Sequence, residues 1–163
     1  MSAPRPDLVH TEIFRVVDGR AEVLLLHRSP GERFEGLWQG ATGGLEPGET
    51  IVQGALRELE EETGFGAESI EAFYHLDLVV QFYSAEDEGL LTSALFAVRV
   101  RPGTDPRLSH EHDEGRWLPL EDAHAMAVWP ASRESIERVR DCLLDPERAT
   151  WFELTLDGRT RRR

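Results

Sequence analysis

Apolar and polar positions fall into two periods along this chain. Val9 to Val17 and Ala21 to His27 are β-prone runs on either side of Asp18-Gly19, which predicts two strands joined by a turn. The second run contains Val23-Leu24-Leu25-Leu26, an uninterrupted apolar stretch suited to a central strand covered on both faces. From about 51 to 63 the spacing becomes helical, with Ala55, Leu56 and Leu59 forming an apolar face. Thr50 is a good N-cap and Gln53 completes a capping box. Gly64 supplies the left-handed stop. Gly54 inside the helix costs about 1 kcal/mol relative to alanine, and is read as a site where another backbone packs close.

The same reading continues on both sides. Residues 1–7, with two prolines, predict a loose arm. Ser29 to Glu35 is a loop, and Leu37 to Thr42 leads into the turn at Gly43-Gly44. Ile70 to Tyr83 predicts one or two strands, and Leu90 to Val100 another beyond an acidic turn. Phe73, Phe82 and Phe96 are read as sheet packing. A long loop over 101–114 precedes a short strand, Gly115 to Pro119. Helices follow over Leu120 to Ala127 and Pro130 to Leu144, with Pro130 suited to a first turn. Residues 145–163 form a tail with a strand over Trp151 to Leu156 and a solvated basic end. The result is one α/β domain over residues 8–144.

Composition narrows the function. At 163 residues the chain has enough length for one domain with a sizeable core. Its 31 acids outnumber 18 bases, for a net charge of −13, which argues against a nucleic acid polymer or an anionic membrane as partner. A small anionic substrate remains compatible, because a bound metal would set the local charge. The single cysteine, Cys142, makes no intrachain disulfide and is read as a buried thiol. The N-terminus lacks a signal peptide's apolar core, and no apolar run approaches the roughly 20 residues of a membrane span. The expected location is cytoplasmic.

The chemistry concentrates in residues 43–65, GGLEPGETIVQGALRELEEETGF. Glu58, Glu61 and Glu62 stand at i, i+3 and i+4 and share one helix face, with Arg57 beside it. Glu60 points away. Clustered carboxylates repel, and a hard divalent cation removes that cost. An acidic run alone is ordinarily the solvated face of an amphipathic helix. Here it is tied to a glycine turn, to Glu49 and to Arg57 at set spacings.

The stretch Gly43, Glu49, Arg57-Glu58-Leu59, Glu61-Glu62, Gly64-Phe65 resembles a complete Nudix box. The resemblance implies an α/β/α sandwich around a mixed β-sheet. It implies Mg²⁺- or Mn²⁺-dependent attack of water on a nucleoside diphosphate linked to another moiety. Glu58, Glu61 and Glu62 would be metal ligands, assisted by the Gly43 carbonyl. Glu49 and Arg57 would brace the loop against the helix.

The flanks are similar to the dihydroneopterin triphosphate pyrophosphatase branch. The matching features are Trp38-Gln39 before the box, Glu111-His112 six residues ahead of Trp117-Leu118, and Trp129 with Arg133 leading into the last helix. By this resemblance Glu111 would reach the metals as a ligand or as the base, with Glu61 the other candidate base. Arg28 would contact phosphate. Trp38 and Trp129 either stack on a pterin or purine ring or fill core; Trp117 is read as core. His110 and His112 are read as polar surface. The implied reaction releases a monophosphate and pyrophosphate from a small polyphosphate substrate. ADP-ribose or a dinucleoside polyphosphate are the alternative substrates, and a non-catalytic nucleotide-binding module is the alternative class. The intact box acids count against the module. The family admits a homodimer.

Overall fold

β1 (Leu8–Val17) organises the sheet because each half of it has a different neighbour on one edge. In the computed structural model, which describes residues 3–162, its first half pairs antiparallel with β4 (Ala41–Gly44) and its second half with β2 (Arg20–Arg28). On its other edge β1 runs parallel to β6 (Gly89–Val100) along most of its length. β5 (Ile70–Ser84) follows β6, and β8 (Glu153–Leu154) closes that edge. β2 also pairs with β3 (Trp38–Gln39) and β7 (His112–Pro119), giving one mixed eight-stranded sheet.

Helices cover both faces. α1 (Ile51–Thr63) packs with Val9, Ile13, Leu24 and Leu26 on one side. α2 (Leu120–Met126) and α3 (Pro130–Arg138) pack with Phe14, Val23 and Leu25 on the other. The alternation of core membership along β2 is that of a strand buried on both faces. Here the expected central strand and the α/β/α layering are observed. No helix is long and apolar enough to cross a membrane among the described residues.

Several expectations are corrected by packing. α3 stops at Arg138 and passes into a π-helical turn, Val139–Leu143, then a short α4 (Pro146–Ala149). Cys142, in that turn, is only partly buried. β7 begins at His112 rather than 115 because antiparallel pairing with β2 captures polar residues that carry no strand signal of their own. Phe73 and Phe96 stack in the core, but Phe82 lies on the outer part of the β5–β6 hairpin and is 38% exposed. The β5–β6 register shifts between His75 and Leu78, and Arg138 donates to the carbonyls of Leu76 and Asp77 there.

Both ends of the described chain are tied down. Asp7 bonds to Thr92 and Leu45, and Arg5 donates to the Glu49 carbonyl. In the tail, Arg161 donates to the Glu153 carbonyl and Arg162 lies 3.6 Å over the Trp151 ring. Residues 1 and 2 of the expected arm and Arg163 of the basic end lie outside the described residues.

Candidate active site

The loop before α1 and the first turns of the helix are joined through Arg57. Its Nε and Nη2 donate to the two Glu49 oxygens at 3.0 and 2.7 Å, a bidentate pair. Nη2 also donates to the Gly44 carbonyl at 2.9 Å, and Nη1 to Glu58 at 2.8 Å. The Arg57 hydrogen bonds, helped by the Glu46 amide, hold the Glu49 carboxyl down at about 2. The same partners push the Arg57 guanidinium further above its ordinary value.

Lysine cannot reproduce this fork. Arg57→Lys is expected to cost about 2 kcal/mol through lost charge-assisted bonds, read as a fall of roughly 4–8 °C in Tm for a chain of this size. A Tm within one degree of wild type would show that the brace carries no stability.

Both helix caps take their expected form. Thr50 and Gln53 make a reciprocal capping box, and Gly64 adopts φ 73° at the C-terminus. Gly54 differs from expectation in detail. Side chains approach it, not backbone: a Cβ there would lie 2.3 Å from Leu45 and 2.9 Å from Glu49.

The three acids of the shared face have different surroundings. Glu61 is largely exposed, 3.3 Å from Arg57. Glu58 folds back over the Gly43 backbone, and burial raises its pKa against the pull of Arg57. Glu62 is 2% exposed and accepts from the Thr42 amide at 3.1 Å, while its Oε1 has no partner. Burial, reinforced by the charges of Glu58 and then Glu111, pushes the Glu62 carboxyl up to about 9.

Among the described residues no three His, Cys, Asp or Glu side chains converge on one ligating point. Arg57 engages Glu58 and Glu61, and the Thr42 amide engages Glu62. The donor set nevertheless fits a hard divalent cation. It is all oxygen, it includes an orphaned buried carboxylate oxygen, and the glycine beneath Glu58 leaves room that a Cβ would fill.

A second group reaches the site from β2 and the segment before β7. Arg28 donates to Glu111 at 2.9 Å and to the Arg33 carbonyl at 3.0 Å. Glu111 raises the pKa of both Glu58 and Glu62, so tertiary pairing has carried it to the helix acids. His112 departs from expectation. It is 3% exposed with neither ring nitrogen bonded, and burial together with Arg28 lowers it to about 4. His110 is exposed, as read.

The aromatics separate. Trp38 is partly buried, contacted by His27 at 4.7 Å and by Arg116 at 4.8 Å. Trp117 packs partly buried against the α1-side core under Arg15. Trp129 stands at the start of α3, 43% exposed, with Phe34 edge-on at 5.5 Å. Phe34 was not singled out by sequence. Its φ of 56° is unusual for a bulky residue and has no local sequence signature.

A NUDIX domain model matches residues 8–139. The chain belongs to the Nudix family. It is a Nudix hydrolase, and its mixed sheet between helices is the family's fold. It is 34% identical over 116 residues to an asymmetrical bis(5'-nucleosyl)-tetraphosphatase of Caenorhabditis elegans, covering 71% of this chain and 80% of that one. It is 38% identical over 141 residues to an octanoyltransferase of Myxococcus xanthus, covering 85% of this chain but only 38% of that longer protein. The structure of the E. coli dihydroneopterin triphosphate pyrophosphohydrolase superposes with a TM-score of 0.70 at 26% identity, covering 82% of this chain and 94% of that one. Nudix hydrolases act on small phosphate-containing molecules and generally depend on divalent metals.

Proposed function

We propose that this Nudix hydrolase is a Mg²⁺- or Mn²⁺-dependent pyrophosphohydrolase that converts a nucleoside-triphosphate-like substrate to monophosphate and pyrophosphate. The observation that carries the reading is Glu62, a buried carboxyl with an unpaired oxygen beside Glu58 and Glu111. Buried acids crowded this way cluster where chemistry needs them.

Glu58, Glu61, Glu62 and the Gly43 carbonyl would hold the metal. When bound, it supplies neutralisation of phosphate charge and acidification of a water. Arg28 takes a phosphate oxygen, which loosens its bond to Glu111. Glu111 or Glu61 then accepts the proton from the attacking water. Trp129, with its ring exposed beside Phe34, is the stacking surface for the substrate ring. Trp38, held by His27 and Arg116, shapes the strand beside it.

Dihydroneopterin triphosphate is the first substrate to test, on the flanking residues and the E. coli likeness. A dinucleoside tetraphosphate is the second, because the C. elegans relative is closer in sequence. A panel containing both, with nucleoside triphosphates and ADP-ribose, separates the readings when pyrophosphate and phosphate are assayed apart. Metal-dependent pyrophosphate release selective for the pterin supports the first. Preference for the dinucleotide replaces it. No metal-dependent turnover of any of them overturns the hydrolytic role.

A pH dependence follows from Glu62. The carboxyl must lose its proton to ligate, so metal binding releases that proton. Apparent affinity should therefore rise with pH up to about 9, by about tenfold per unit where this group dominates. Calorimetry of Mn²⁺ binding between pH 6 and 8.5 checks it. A flat profile removes Glu62 from the ligands.

A further inference from the structure

A line of buried polar groups crosses the domain from α3 to Glu62. Glu12, on β1, is fully buried, and its Oε2 accepts from Ser135 Oγ of α3 at 2.6 Å. The His10 Nε2 lies 2.8 Å from the same oxygen. A carboxylate only accepts, so Nε2 carries a proton and donates. On the other side of the ring, His10 Nδ1 lies 2.8 Å from Thr42 Oγ1. His10 and Thr42 are direct cross-strand partners of β1 and β4. The Thr42 amide then donates to Glu62 Oε2.

The surroundings are shaped to this line. His10 and Glu12 stand two residues apart on β1 and so project to one face. Gly40 lies against the imidazole, and a Cβ there would sit 3.1 Å from His10 Nε2 and 2.6 Å from the Thr11 carbonyl. Ser135 also lies 2.9 Å from the Ser132 carbonyl, and the Glu12 oxygen is the nearer acceptor. Glu12 Oε1 has no partner. Burying a carboxylate with one free oxygen is costly. An apolar residue would pack the same space without that cost.

We infer that Glu12, His10 and Thr42 are positioning residues that hold β4 in register over α1, and so set where Glu62 stands for the metal. The line begins on α3, whose N-cap is Trp129, so one helix joins the proposed substrate-ring end of the site to the strut that reaches the metal end. This rests on Glu62 being a metal ligand, as proposed above. Groups that orient ligands, when removed, weaken metal binding by roughly 10–100-fold in other metal sites.

The test is calorimetric Mn²⁺ binding to the whole chain without substrate, beside the metal midpoint of turnover and Tm. Thr42→Val should weaken Mn²⁺ binding by roughly tenfold, and Thr42→Ser, which keeps the hydroxyl, should restore it. Ser135→Ala should weaken binding in the same direction. Combined with Thr42→Val it should add less than its separate effect, because both cut one line. Variants that lose Tm yet bind Mn²⁺ like wild type would make the line purely structural and overturn the inference, as would fully additive effects. If Thr42→Val fails to fold, Thr42→Ser and Ser135→Ala decide. Glu62→Gln is the reference. If it too binds like wild type, the ligand assignment falls and the strut's role falls with it. If it loses binding while the Thr42 and Ser135 variants do not, only the strut is wrong.

Discussion

Glu62→Gln is expected to stop metal-dependent turnover and to make the metal-free protein more stable at pH 8. The two effects have one cause. The folded protein holds the Glu62 proton more tightly than the unfolded chain, with a carboxyl raised from 4.5 to about 9. That contribution to stability is whole below the unfolded value. It is lost as pH rises toward the folded value, because the unfolded chain then releases a proton that the native state must keep or leave as a buried charge. At about 1.36 kcal/mol per pH unit, some ~3 kcal/mol is lost by pH 7. Glutamine keeps the shape and removes the titration. Its Tm should exceed that of wild type at pH 8, and the two curves should converge near pH 4–5, below the titration. Turnover should fall by more than the roughly 100-fold attached to loss of a group that merely orients a ligand. Thermal melts in chelator across this pH range and a saturating-Mg²⁺ assay check both halves. Wild-type turnover, or matching melts at pH 8, would sink the account of Glu62.

Gly43→Ala should separate activity from stability. A Cβ on Gly43 would lie 2.0 Å from the Glu58 carboxyl carbon and 2.1 Å from Oε1. The carboxylate must leave. It is the far end of a flexible side chain and gives up only its bond from Arg57, so the fold can absorb the change at a cost of about 1 kcal/mol. The site cannot, because a displacement of about 1 Å in a positioned group is enough for a 10²-fold loss of rate. We expect a roughly 10²-fold lower rate at saturating Mg²⁺ with Tm changed by only a few degrees. A variant as fast as wild type would show that Glu58 does not need its place over Gly43.

Arg57 and Glu49 show how far sequence spacing reaches. The family resemblance implied their pairing, and both lie within one short loop-helix segment, where it is observed. His112 shows where spacing fails. Nothing in HEHDEG distinguishes a buried histidine from a solvated one, and only antiparallel pairing with β2 places it beside Arg28 under cover. Phe82 is the reverse case, an apolar strand residue left exposed because its hairpin runs beyond the well-covered part of the sheet. Glu12 and Ser135 are separated by 123 positions and no pattern links them.

The chain's own order therefore determined the central strand, the capped helix, the shared acidic face and the family they belong to. Each was legible because its signal is written in spacings within a short stretch of sequence. Tertiary structure alone decided which acid is buried, which histidine loses its water and which tryptophan keeps a free face. Those properties depend on desolvation, and desolvation is set by segments that meet only when the sheet pairs and the helices close over it.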